Sequence, residues 1–211
     1  MKPQPQNLPE ILQTDEIYVL FGGPSLKGFD LSRLNGKTVI ACNKSAELFP
    51  AQVVISIDPT YINTRCKFLR DYPGLVALGY RATEFGENQK PNDAVIGGIE
   101  PDYLYWHDKR FPDRMSTNPS TLYGQHTGHA AINFLMLQGF KTVHALGLDL
   151  NVTGHWHGGY THSNQHKEWL LNWAAHIDGC KGQLDEAGIR MINYNPNSAV
   201  KEYEFSSLDR I

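Results

Sequence analysis

Glu16-Ile17-Tyr18-Val19-Leu20-Phe21-Gly22-Gly23-Pro24-Ser25 is the stretch on which the fold turns. A short, continuous apolar run rich in β-formers stops abruptly at two glycines, a proline and a serine. Such a run without polar alternation fits a strand buried on both faces of a parallel sheet. The Gly-Gly-Pro-Ser sequence that ends it is a turn signal. Working outward, the same form recurs. Thr38 to Cys42 runs into Asn43, Val53 to Ile57 into Asp58-Pro59, and Leu75 to Leu78 is a fourth run. Thr142 to Leu146 leads into Gly147-Leu148-Asp149, and Ile189 to Asn193 into Asn195-Pro196-Asn197-Ser198.

Helical patterns lie between the later runs. Thr127 to Gln138 is apolar nearly all round, which predicts a buried helix closed by Gly139. Trp169, Leu170, Trp173, Ala174, Ile177 and Leu184 recur at helical spacing from Ser163 to Ala187, where Gly179 and Gly182 can kink or split the helix. The alternation predicts an α/β fold, a single Rossmann-like, doubly wound and mostly parallel sheet. Residues 15–211 read as one nucleotide-binding domain behind a Pro- and Gln-rich arm at 1–14. Residues 80–125, rich in Gly, Pro and aromatics, read as an irregular, lid-like insertion carrying a short strand or two.

Composition narrows the classes. The chain has 211 residues, 41% hydrophobic and 19% charged, enough for a real core and against wholesale disorder. A net charge of −3 gives no reason to expect a nucleic-acid footprint, so nucleic acid is an unexpected partner. Three scattered cysteines, with no CxxC, argue against a disulfide framework or a thiolate zinc site. No apolar run reaches the roughly 18–20 residues of a membrane span, and the first residues do not read as a signal peptide. The expected compartment is the cytoplasm. A homo-oligomer stays open.

In open α/β sheets, ligands bind beyond the carboxyl ends of the strands. That rule selects Gly22, Gly23, Pro24, Ser25, Asn43, Asp58, Asp149, Asn195, Pro196, Asn197 and Ser198 before any chemistry is invoked. Two glycines let backbone amides approach an anion closely, and the Ser25 hydroxyl adds a donor; an ordinary tight turn reads equally well. Asn43 could meet a base, a ribose or a leaving phosphate, or simply cap a turn. Asp58 and Asp149 could touch ribose or metal, or serve turns. Thr127 and Gly128 open the buried helix, whose first amides could hold an anionic group, with capping as the plain reading.

The segment Gly154-His155-Trp156-His157-Gly158-Gly159-Tyr160-Thr161-His162-Ser163-Asn164-Gln165-His166 holds four of the nine histidines. It can be read as a metal site, through His155 and His157 in an extended segment or His162 and His166 at i, i+4 on a helix, as a source of a general base near neutral pH, or as a polar loop with capping histidines. The spacing is not HExxH.

The order of these motifs resembles the bacterial sialyltransferase family of the Campylobacter lipooligosaccharide type. It also resembles the broad group that includes the 6-hydroxymethylpterin pyrophosphokinases and uncharacterised bacterial and phage proteins. The features run in order: Gly-Pro-Ser-Leu at 23–26 with Asp30 and Leu34 after it, Cys42-Asn43, Thr127-Gly128, Leu146 to Leu150, His162-Ser163, and Asn195 to Ser198. The first resemblance implies a glycosyltransferase that takes a nucleotide-sugar donor and a small-molecule or glycan acceptor. Gly23, Ser25, Asn43, Asn197 and Ser198 would then line the nucleotide, and His162 would be the general base. Tyr160 is the nearest match to the family's phosphate-binding tyrosines, and no metal cofactor is implied. The second resemblance implies ATP-dependent pyrophosphoryl transfer with Mg²⁺ near Asp58 and Asp149. A non-catalytic nucleotide-binding or sequestering protein is a third expectation.

Overall fold

A computed structural model describes Leu12 and residues 14–81, 98–151, 154–157 and 164–211. Among these, nine strands form one sheet: β1 (Glu16–Leu20), β2 (Val39–Cys42), β3 (Val53–Ser56), β4 (Leu75–Arg81), β5 (Tyr103–Asp108), β6 (Thr121–Tyr123), β7 (Thr142–Leu146), β8 (Arg190–Asn193) and β9 (Glu204–Phe205). The order across the sheet is β6-β5-β4-β3-β2-β1-β7-β8-β9. Every neighbouring pair is parallel, with Val19 beside Ile40 on one side and beside Ala145 on the other. The fold is therefore Rossmann-like α/β, as the buried runs predict.

Alternate residues of each strand enter two separate cores. Ile17, Val19, Ile40, Val53, Ile55, Val143, Ala145 and Met191 pack on one face with Phe134 of α3 (Thr127–Gln138), Ile177 of α4 (Asn164–Gly179) and Leu184 of α5 (Lys181–Glu186). Tyr18, Leu20, Val39, Val54, Val76, Leu78, Leu146 and Ile192 pack on the other with Tyr61 of α1 (Pro59–Thr64) and Leu69 of α2 (Cys66–Arg70). Crossovers between parallel strands are right-handed. The chain steps one way from β1 to β6; α1 and α2, between β3 and β4, pack on the second face, whereas Met115, between β5 and β6, enters the first core. The chain then returns along α3 to β7 beside β1, so the later helices fall on the first face.

Particular elements follow their residues. The apolar girth of α3 is buried, and Gly139 closes it in the left-handed region at φ 80°. The long helical pattern after Ser163 divides at Cys180 into α4 and α5. The segment read as an insertion contributes β5 and β6, which continue the sheet in parallel beyond β4; residues 82–97 lie outside the described ones. Leu12, in the predicted arm, is buried in the first core.

No helix among the described residues is long and apolar enough to cross a membrane.

Candidate functional site

Because all strands run the same way, their carboxyl ends share one edge of the sheet. The chain reverses its stepping direction between β1 and β7, and the crevice at such a reversal is where this architecture binds ligands. Gly22–Ser25 leaves β1 there, and Gly147–Asp149 leaves β7.

Asp149 ties the two together. It is 1% exposed. Its Oδ2 accepts the Ser25 amide at 2.7 Å, and its Oδ1 accepts the Ser25 hydroxyl at 2.6 Å and the Asn195 amide nitrogen at 2.7 Å. Gly23 has to be glycine for a local reason. A Cβ there would stand 2.4 Å from the Asp149 carboxyl group and 2.5 Å from the Gly147 carbonyl, to which Gly23 donates at 2.9 Å. The end of β8 is a ladder of side-chain to backbone bonds. Asn193 accepts the Asn195 amide at 3.1 Å and donates to the Leu148 carbonyl at 3.1 Å, and Asn195 accepts the Asn197 amide at 3.0 Å. Ser198 is fully buried, donating to the Leu148 carbonyl at 2.6 Å, while Asn197 is exposed. Of the predicted donor-lining pair, Asn197 thus lies at the surface and Ser198 braces the loop from beneath. Asn193 lies outside the residues that the strand-end rule selects, although its alternate spacing with Asn195 and Asn197 carries the signal of such a ladder.

A second group forms where β2, β3 and α3 meet. Asn43 sits at φ 52°, in the left-handed region that asparagine tolerates better than most residues. Its side-chain amide meets the Thr127 hydroxyl at 3.2 Å and 3.3 Å, and that hydroxyl also accepts the Ile57 amide at 3.4 Å. Thr127 therefore bonds sideways to β2 and β3 rather than capping its own helix. His126 is the residue before the helix, and its side chain makes no cap either. Gly128 lies against Phe21 and the His126 ring. Ser45, another residue that sequence reading passed over, donates to the Phe21 carbonyl at 2.8 Å and fixes the end of β1.

The histidine-rich loop reaches this crevice. His155 Nδ1 donates to the Gly22 carbonyl at 3.0 Å, and the Trp156 amide donates to the same oxygen at 3.2 Å. Two donors on one carbonyl anchor the loop to the turn after β1. With Nδ1 as donor, the lone pair of a neutral His155 lies on Nε2. The His155 and His157 rings stack at 5.2 Å and 9°. His162 and Tyr160 lie outside the described residues.

A separate histidine group lies between α3 and α4. The His126 ring stacks on Trp173 at 4.9 Å. His129 Nε2 is 3.1 Å from the Arg114 carbonyl and 3.4 Å from Cys180 Sγ. Burial, then repulsion from His129 and His176, drives His126 well below the usual imidazole range. Burial pushes His129 down to about 4, and His176 is lowered too. Burial pushes the Cys180 thiol up to about 12, so thiol and imidazoles are all neutral at pH 7.

Metal chemistry was an expectation at Asp58 and Asp149. Asp58 Oδ1 caps α1, accepting the Thr60 amide at 2.9 Å and the Tyr61 amide at 3.4 Å. Asp149 engages both its oxygens on Ser25 and Asn195. Asp58 thus uses one carboxylate oxygen for its cap, and both oxygens of Asp149 hold uncharged donors. Among the described residues no three His, Cys, Asp or Glu side chains gather as a metal site.

No protein-family model matches the chain, and no curated protein or solved structure matches it.

Proposed function

We propose that the protein is a nucleotide-dependent transferase, most simply a glycosyltransferase that binds a nucleotide-sugar donor over the carboxyl ends of β1, β2, β7 and β8. The observation that carries this reading is the anchoring of the histidine-rich loop on the Gly22 carbonyl at the β1/β7 reversal. It supports a site where a nucleotide-binding edge and a source of general bases meet. Asn43, Thr127 and Gly128 form the neighbouring wall, where the first amides of α3 and the helix dipole favour the phosphate. In this reading His162, seven residues beyond His155, takes the proton from the acceptor hydroxyl as the donor's anomeric carbon loses its nucleotide.

The engagement of both Asp149 oxygens weighs against Mg²⁺-dependent pyrophosphoryl transfer through that residue. The test is a kinetic one, with release of nucleotide from a cytidine-nucleotide sugar as readout. His162→Ala should lower turnover about 100-fold or more while nucleotide affinity stays near wild type. Unchanged turnover would remove His162 from the role.

A further inference from the structure

The Gly22–Ser25 turn looks from sequence like a cradle for an anion, but its hydrogens point inward. The Gly23 amide donates to the Gly147 carbonyl, the Leu26 amide to the Gly23 carbonyl at 3.3 Å, and the Ser25 amide to Asp149. Pro24 has no amide hydrogen. That leaves the Gly22 amide as all the turn's backbone has to offer an anion. The Ser25 hydroxyl has one hydrogen, and Asp149 Oδ1 holds it at 2.6 Å. Ser25 Oγ, half-buried at the crevice, therefore presents lone pairs. Directly behind it lies a buried carboxylate that accepts from Ser25 and Asn195, both uncharged. A phosphate placed on this turn would meet oxygen lone pairs and a negative charge, with almost no donors to receive it. A ligand hydroxyl would meet an acceptor whose proton is already directed away and whose oxygen is made more basic by the carboxylate behind it.

We infer that the Ser25 subsite takes a hydroxyl donor, a sugar hydroxyl of the ligand, and that Asp149 sets this preference by holding the Ser25 proton. Asp149 is a positioning residue here, acting through Ser25. The inference rests on the crevice being a nucleotide site, and it assigns the sugar to the β1 turn and the phosphate away from it.

Two measurements on the full chain test it. In the first, the backbone amide spectrum is followed on adding D-ribose or inorganic phosphate. Saturable shifts at Gly22, Gly23 and Ser25 are expected with ribose and not with phosphate. Shifts with phosphate alone, or with neither, overturn the inference. In the second, calorimetry compares CMP with 2′,3′-dideoxy-CMP and with cytidine, in wild type and Ser25→Ala. Loss of the ribose hydroxyls should weaken wild-type binding about tenfold, and this difference should vanish in Ser25→Ala. The preference for CMP over cytidine should survive the substitution. If Ser25→Ala instead erases the phosphate preference and leaves the hydroxyl preference, Ser25 faces the phosphate and the inference is wrong. Should no nucleotide bind at all, the nucleotide reading fails separately, and the ribose and phosphate comparison still decides the chemistry of the turn.

Discussion

Two buried polar clusters flank the central strands, and they are built on opposite terms. At the β1/β7 reversal, Asp149, Ser25, Asn193, Asn195 and Ser198 bond to one another or to the Leu148 carbonyl, each at 2.6–3.1 Å. Between α3 and α4, His126 Nε2, His129 Nδ1 and His176 Nδ1 are buried without a hydrogen-bond partner among the described residues. The first cluster is a fixed frame in which a charged group is stabilised by donors. The second stays neutral because burial outweighs what the Arg114 carbonyl and Asp113 offer the charged form. The difference teaches where each region is vulnerable: the frame to loss of one member, the histidines to acid.

The frame should show the largest effect. Asp149→Ala leaves two Ser25 donors and the Asn195 amide facing an empty buried position, and should cost about 3–5 kcal/mol by urea unfolding. A loss below about 1 kcal/mol would mean that the network relaxes and is no frame. Next comes the acid response of the histidines. His129 binds protons near 6.5 when unfolded but only near 4 when folded. Between those values the unfolded chain holds more protons, so stability falls as pH drops from about 6.5 to 4. For His129 alone this is on the order of 3 kcal/mol. His129→Gln should flatten the unfolding free energy across that window. An unchanged slope would show that these rings are already hydrated.

A smaller effect separates backbone from side chain at Asn43. Asn43→Ala should cost about 1 kcal/mol by chemical unfolding, because alanine resists the left-handed backbone, whereas Asn43→Gly should keep stability close to wild type. Both should weaken nucleotide binding in calorimetry. Equal stability of the two would remove the backbone argument. Last, thiol alkylation of the native chain, read by mass spectrometry, should modify Cys66 and spare Cys42 and Cys180, both buried. Labelling of Cys180 at the rate of Cys66 would show that α4 and α5 open readily.

The frame and the histidines also differ in how far sequence exposed them. Continuous apolar runs ending in polar residues disclosed β1, β2, β3, β7 and β8, and the strand-end rule then placed Ser25, Asn43 and Asp149 on one edge. Their hydrogen-bond directions were hidden. Whether Asp149 meets a metal or Ser25 depends on a contact 124 residues apart in the chain. The short α1 and α2 have too few turns for a helical period to show. In β5, buried Tyr103, Tyr105 and His107 alternate with half-buried neighbours, a period of two masked by the surrounding prolines and glycines. His126, His129 and His176 come together only because α4 folds back over α3, which no local pattern announces.

The central claim is that a nucleotide binds at the β1/β7 reversal, and thermal unfolding with CMP, CDP, UDP, ADP and ATP, each with and without Mg²⁺, tests it most directly. A ligand at 100 times its dissociation constant stabilises the native state by about 2.7 kcal/mol. The account predicts that a cytidine nucleotide raises the midpoint without metal and that Asn43→Ala diminishes the rise. Stabilisation only by ATP with Mg²⁺, or by none of the nucleotides, would contradict it.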